Sequence, residues 1–156
     1  MKLPTVAIAL ALLLSPHAGI AAIRTIDLTF NGIDWEDNGT PASATVRLEF
    51  DSLADVNPDP IIGTYTASVS LFSGGSSGHA SSPSAITVQN DPGGDVFAMS
   101  EVTFTQPVVV DGQAVNAVAF ALIATNGNMF YHGGQINFVQ LLLGDKESHI
   151  PPAAFK

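Results

Sequence analysis

The first residue in this sequence that could do chemistry is a serine in a glycine-rich segment. Gly74, Ser76 and Gly78 match the Gly-x-Ser-x-Gly pattern around the nucleophile of many serine hydrolases. That pattern works where a strand turns sharply into a helix, which places the serine beside an oxyanion hole. Here a polar Ser/Gly tract surrounds the motif, so the main interpretation is a non-enzymatic protein. The alternative is a hydrolase that uses Ser76 and His132.

Acidic and amide side chains in two loops offer the oxygen ligands that calcium prefers. Asp55, Asn57 and Asp59 alternate like the first half of a calcium-binding loop, and Asp91 and Asp95 follow in a later loop. The glycine and the bidentate glutamate of a complete EF-hand loop are absent from their positions. We therefore predict a looser calcium site from these five residues. The alternative is a set of turns in which the acids serve solubility.

Two loop aromatics are candidates for contact with a ligand. Trp35 is the only tryptophan and is flanked by acidic residues, so an exposed indole there could stack on a sugar ring. Tyr131 lies beside a second turn, Gly133-Gly134. The alternative for Trp35 is a buried anchor at a strand end. Its neighbouring carboxylates point to opposite faces of an extended segment, which argues against a glycosidase pair.

The histidines do not suggest a transition-metal site. His79, His132 and His149 are far apart, and none has the short spacing that zinc sites use. We interpret each as a loop residue.

Charge and composition limit the partners. The chain has 14 acidic and 5 basic residues, a net charge of −9 and no cysteine. So acidic a surface repels phosphate backbones, which excludes nucleic acid as a partner. Without disulfides, stability must come from the apolar core. Divalent cations and neutral polysaccharides are compatible with this surface.

The N-terminus has the layout of a secretory signal. A lysine at position 2 precedes an apolar run over 6–14, and small residues follow around Ala21. We predict that residues 1–21 are a signal peptide cleaved before Ala22, with an N-terminal membrane anchor as the alternative. The apolar run is shorter than the roughly 20 residues that a spanning helix needs. We therefore expect a secreted protein with no membrane span in the mature chain.

Alternating apolar and polar residues predict strands over 25–30, 44–51 and 64–71, with weaker strands over 85–89, 95–105 and 135–144. Residues 115–125 are apolar on both faces and favour a covered strand over a buried helix, because Asp-Gly and Asn-Gly turns flank them. The Ser/Gly tract over 73–84 is interpreted as a mobile loop. The pattern predicts an all-β, antiparallel β-sandwich of about 7–8 strands, with one domain over 22–149 and a short tail over 150–156.

The predicted inward-facing residues share the apolar phase of these strands. They are Leu28, Phe30, Val46, Leu48, Phe50, Tyr65, Val69, Leu71, Phe104, Phe120 and Phe138.

Four features together resemble those of one protein family. They are the signal peptide, the short hydroxyl-rich strands, the lack of cysteine and the segment Gly-Thr-Tyr-Thr-Ala-Ser-Val-Ser over 63–70. The family comprises the exported β-sandwich proteins of Gram-negative bacteria with a PEP-CTERM sorting signal. The ending Ile-Pro-Pro-Ala-Ala-Phe-Lys resembles the opening of that signal, without its helix and basic tail. The resemblance implies an envelope or extracellular-matrix protein.

We therefore expect a secreted, non-enzymatic structural or binding protein that contacts extracellular polysaccharide or cell-surface proteins. One alternative is a secreted hydrolase of glycans or esters. Another is a self-assembling matrix subunit in which the apolar edge over 139–143 adds strands between molecules.

Calcium binding can be tested by melting. A ligand that binds only the folded state stabilises it, so we expect a modestly higher melting temperature in calcium than in chelator. Identical melting in the two solutions would remove the metal hypothesis.

Overall fold

The computed structural model describes residues 22–34, 41–55 and 59–149. Nearly all of its regular structure is β-strand. In chain order, the elements are β1 Ile23–Asp34, β2 Pro41–Asp51, β3 Ile62–Ser73, β4 Ser76–His79, β5 Ser84–Gln89, β6 Val96–Val110, β7 Gln113–Ala124, β8 Tyr131–His132, β9 Gln135–Ile136, α1 Phe138–Leu143 and β10 Lys146–His149. The predicted signal peptide and tail lie outside the described residues.

One antiparallel sheet dominates the fold. Its strand order is β1-β2-β3-β5-β6-β7-β10, and β4 also pairs with β3. β4 continues along the same side of β3 as β5 and reaches β6 through a bridge between Ala80 and Phe104. β8 and β9 form a separate two-stranded sheet. The predicted all-β antiparallel class is confirmed.

The large sheet curls so far that side chains from strands near its two ends come into contact across the core. The ring centroids of Phe30 on β1 and Phe120 on β7 are 5.4 Å apart. In a flat sheet of this order, those strands would lie about 24 Å apart, because neighbouring strands are spaced at about 4.8 Å. Register shifts between β6 and β7 accompany the bend, as expected of bulges that increase local twist. A single curled sheet therefore covers the core from both sides.

The inner face of this sheet carries the core. All predicted inward residues are buried except Phe138, which packs against the core while partly buried. The burial pattern of β3 alternates along the strand, as a half-exposed strand requires. β7 forms a strand over the segment that is apolar on both faces. Its entry turn has positive φ at Asp111 (47°) and Gly112 (80°), the turn chemistry that Asp-Gly predicts.

The prediction of a strand over 135–144 is wrong. The segment forms β9 and then the short helix α1, so residues 139–143 are not a strand edge. Asn137 caps α1 by accepting a hydrogen bond from the Gln140 backbone N–H. Phe138, Leu141 and Leu142 follow at helical spacing and pack inward. Within the described residues, no helix is long and apolar enough to span a membrane.

The prediction of a mobile loop over the Ser/Gly tract, residues 73–84, is also wrong in part, because residues of this tract form β4. Pairing with β3 uses backbone groups, which need no apolar side chain. Gly78 is buried against β6, where a Cβ atom would stand 2.5 Å from Val108 Cγ2. The glycine therefore lets β4 approach β6 closely.

Truncating Phe120 should strongly destabilise the fold, because its ring packs against Phe30 and Phe97 where the sheet closes. We expect Phe120→Ala to lower the free energy of unfolding by about 3–5 kcal/mol, measured by urea denaturation. The exposed Val109 provides the control, and Val109→Thr should change it by less than about 0.5 kcal/mol. Equal effects of the two substitutions would contradict the proposed closure.

Candidate functional site

The four described members of the predicted calcium site all accept hydrogen bonds from the backbone. Asp55 Oδ1 accepts from Thr64 N at 2.8 Å, Asp59 Oδ1 from Ile61 N at 2.7 Å, Asp91 Oδ1 from Gly93 N at 2.8 Å and Asp95 Oδ2 from Tyr131 N at 2.7 Å. Asp59 and Asp91 form local turns with the residue two positions later. Asp55 and Asp95 join segments that are distant in sequence. Each of these carboxylates therefore has a structural role in the loops.

These acids lie at one end of the large sheet, which we call the acidic end. It comprises residues 22–24, 50–55, 59–62, 89–96 and 123–146, where β1, β3 and β6 begin and β2, β5 and β7 end. A hydrogen bond of 2.7 Å from Asn90 N to Ile61 O ties two of its loops together. Antiparallel pairing brings together here members of the predicted calcium site that are as far apart in sequence as Asp55 and Asp95.

Two buried tyrosines hold this end together. Tyr65 and Tyr131 are 1% and 0% exposed, and the Tyr131 hydroxyl donates to the Asp59 carbonyl at 3.2 Å. The two phenol groups also influence each other's pKa. A Cβ atom on Gly63 would stand 2.7 Å from Tyr131 Oη and 3.1 Å from Asp55 Oδ2, so only glycine fits there. We call this group the tyrosine cluster: Asp55, Asp59, Gly63, Tyr65 and Tyr131.

Burial and charge make these phenols weak acids. Burial, followed by the nearby charge of Asp55, raises the pKa of Tyr65 to about 12. The same two causes, with a contribution from Asp59, raise the pKa of Tyr131. Ionising either phenol would place a negative charge in a buried site beside carboxylates. The tyrosine cluster is therefore suited to structural hydrogen bonding.

The other predicted site residues are either buried or outside the described residues. Tyr131, predicted to contact a ligand, is completely buried in the tyrosine cluster. Trp35 and Asn57 lie outside the described residues. Within the described ranges, no three histidine or acidic side chains are grouped so that they could hold a metal ion. Calcium binding, which partly depends on Asn57, stays a prediction.

The structure does not bring Ser76 and His132 together. Ser76 Oγ accepts a hydrogen bond of 2.8 Å from Val109 N, near the end of β6. His132 follows Tyr131, whose backbone binds Asp95 just before β6 begins. The two residues lie at opposite ends of the longest strand described, which leaves the predicted hydrolase arrangement without its serine–histidine contact.

A row of polar side chains crosses four strands on the outer face of the sheet. The registers pair Asp27 of β1 with Arg47 of β2, Arg47 with Ser70 of β3, and Ser70 with His79 of β4. This row borders an open groove of about 400 Å³. The residues of this outer groove that matter below are Arg47, Glu49, Ser68, Ser70, Phe72 and His79.

Arg47 is held in place and electrically paired. Its Nε and Nη2 atoms donate to the two Asp27 oxygens at 2.7 and 2.8 Å, a bidentate ion pair. Those hydrogen bonds raise the pKa of Arg47. The guanidinium also lies 5.1 Å from the centre of the Phe72 ring. The groove therefore presents a fixed donor group whose positive charge Asp27 balances.

Hydroxyl and imidazole groups complete the outer groove. Ser70 Oγ and His79 Nδ1 are 2.8 Å apart and exposed. Serine and imidazole could act as nucleophile and base, but in the described part of the chain no carboxylate hydrogen-bonds His79 to orient it. Glu49 and Ser68, a cross-strand pair, add further acceptors and a donor. The groove can thus both donate and accept hydrogen bonds beside an aromatic ring.

Sequence alternation alone could not find the outer groove. It places Asp27, Arg47 and Glu49 on solvent-facing sides of their strands, but their neighbours depend on register across separate hairpins. β4, which contributes His79, lies in the segment interpreted as a loop.

No family model matches the chain, and no curated protein or solved structure is significantly similar to it. Its function must be argued from the groove, the acidic end and the sequence.

The tyrosine cluster predicts an alkaline limit to stability. Because folding raises the pKa of Tyr65 from 10.0 to about 12, its contribution is complete below pH 10 and is lost as the pH rises towards 12. We expect the melting temperature to fall across that window and to fall less in Tyr65→Phe. Thermal unfolding followed by circular dichroism measures this.

Tyrosinate absorbance gives an independent check, because both tyrosines of the chain belong to the cluster. Ionisation of either phenol at its ordinary pKa near 10 while the protein is still folded would contradict the burial described here.

Proposed function

We propose that the protein is an exported, non-enzymatic binding module of the cell envelope or extracellular matrix that binds polysaccharide through the outer groove. One observation carries this proposal. Arg47, Ser70 and His79, which lie in register on neighbouring strands, line an open groove of about 400 Å³ on the solvent-facing side of the sheet, and Asp27 pairs with Arg47 beside it.

The chemistry of the groove suits sugar hydroxyls. A sugar hydroxyl both donates and accepts, and the groove offers the Arg47 guanidinium, the Glu49 carboxylate and serine hydroxyls. The Phe72 ring adds apolar surface, although Arg47 covers part of one face. Several weak, directional contacts on a pre-formed surface can together select an extended polymer.

Charge favours a neutral polymer. Asp27 balances the charge of Arg47, Glu49 adds a negative charge, and the whole chain carries a net charge of −9. A polyanion would meet repulsion with little compensating attraction. Neutral glycans avoid this cost.

The location is inferred from sequence. The leader over 1–21 supports export, and the resemblance to PEP-CTERM proteins of Gram-negative bacteria supports an envelope or matrix setting. Polysaccharide is abundant in such a setting, which agrees with the ligand class inferred for the groove.

Affinity electrophoresis in gels containing neutral glucans or galactomannan tests the proposal. We expect retardation of the wild-type protein and about tenfold weaker binding by Ser70→Ala/His79→Ala, because two hydrogen-bonding groups are lost. The matched control is Ser100→Ala, an exposed serine of β6 outside the groove, which should bind like wild type.

Two results would count against the groove as a glycan site. One is a lack of retardation in every glycan gel, and the other is equal retardation of the wild-type and double-variant proteins. Circular dichroism should first show that both variants keep the β fold.

A further inference from the structure

Exposed apolar side chains are concentrated at the acidic end. Those between 51% and 71% exposed are Ile23, Leu53, Ile61, Met129, Val139 and Leu143, and all lie there. In the described part of the chain, the other large exposed apolar residue is Val109, at the opposite end of β6. Scattered apolar residues are normal on a surface, but concentration in one region marks an interaction site.

Helix α1 contributes the most exposed of these side chains. Leu141 and Leu142 pack into the core, whereas Val139 and Leu143 face outward at 55% and 71% exposure. A short helix that is apolar on both sides is normally covered on both sides. Here the core covers only one.

The rest of the fold holds α1 firmly. The Phe138 ring lies 6.2 Å from that of Phe50, and the Arg24 guanidinium lies 5.5 Å from the centre of the Phe138 ring. At the helix end, Lys146 Nζ donates to the carbonyls of Leu142 and Gly144 at 3.0 and 3.1 Å. Val139 and Leu143 are therefore presented on a pre-formed surface, which lowers the entropic cost of binding.

The charges that this end presents outward are acidic. Its two described cations are engaged inward, because Arg24 lies over Phe138 and Lys146 binds helix carbonyls. Burial also lowers the pKa of Lys146. Asp145 is exposed, and Asp59 and Asp91 are partly exposed. Arg24 and Lys146 are partly exposed as well, but the acids outnumber them, so the apolar side chains are accompanied by net negative charge.

We propose that the acidic end, centred on α1, docks a second protein whose contact surface has apolar side chains at its centre and lysine or arginine at its rim. Charge complementarity selects this partner. A second copy of the chain would oppose like charges, and an anionic membrane would be repelled for the same reason. The docking surface is separate from the outer groove, so the protein can hold polysaccharide and a protein partner together.

Two synthetic amphipathic helical peptides serve as probes, with the same leucine face and with either lysine or glutamate on the polar face. Fluorescence anisotropy measures binding to three proteins: wild type, Val139→Ser/Leu143→Ser and the control Val109→Ser. We expect the lysine peptide to bind wild type and the control within about twofold of each other, and the double variant about tenfold more weakly. Met129→Ser, a loop change, provides a second test if the double variant does not fold.

Several outcomes would overturn the proposal. Equal binding of the glutamate peptide would show that charge plays no part. Equal loss in Val109→Ser would show that binding is not located at the acidic end. Dimers in sedimentation that disappear in the double variant would identify a second copy as the occupant, and wild-type binding to anionic lipid vesicles would identify a membrane.

Discussion

The fold depends on the curling of one sheet around its own core. Phe30 and Phe120 lie on strands far apart in the sheet order, yet their rings are in contact. That contact requires the bend of β6 and β7, where the ladder shifts register. Once the sheet curls, its inner face buries the alternating apolar residues, and its outer face is left to polar side chains. The outer groove follows from this division, and the acidic end follows from the antiparallel direction of the strands.

Aspartates at the acidic end show how negative charge can serve structure. Asp55 and Asp95 each accept a backbone N–H from a distant segment, which satisfies a donor that would otherwise lose its partner on folding. Asp95 is 1% exposed, so its hydrogen bond to Tyr131 lies in the interior. The same residue types in the same loops suggested metal binding from sequence, because an oxygen that binds a cation also accepts a hydrogen bond well.

Local patterns predicted most of the fold because their causes are local. Alternation correctly placed Leu28, Val46 and Phe50 in the core, and the Asp111-Gly112 pair predicted a tight turn. Helix α1 was missed, although the cap at Asn137 and the helical spacing after it were present in the sequence. The outer groove could not be predicted, because the meeting of Asp27, Arg47, Ser70 and His79 depends on the register of three strand pairs. Nor does sequence say whether an aspartate faces a backbone donor or solvent.

The first described residue, Ala22, forms contacts that the predicted leader cleavage would alter. Ala22 N donates to Asp51 Oδ1 at 2.9 Å, and Ser52 N donates to Ala22 O at 3.1 Å, which fastens the start of β1 to the turn after β2. Cleavage before Ala22, as predicted, would turn this amide nitrogen into an ammonium group. The hydrogen bond, already charge-assisted by the Asp51 carboxylate, would then become an ion pair. If the leader is cleaved there, the new terminus would add an electrostatic contact at the start of the edge strand β1.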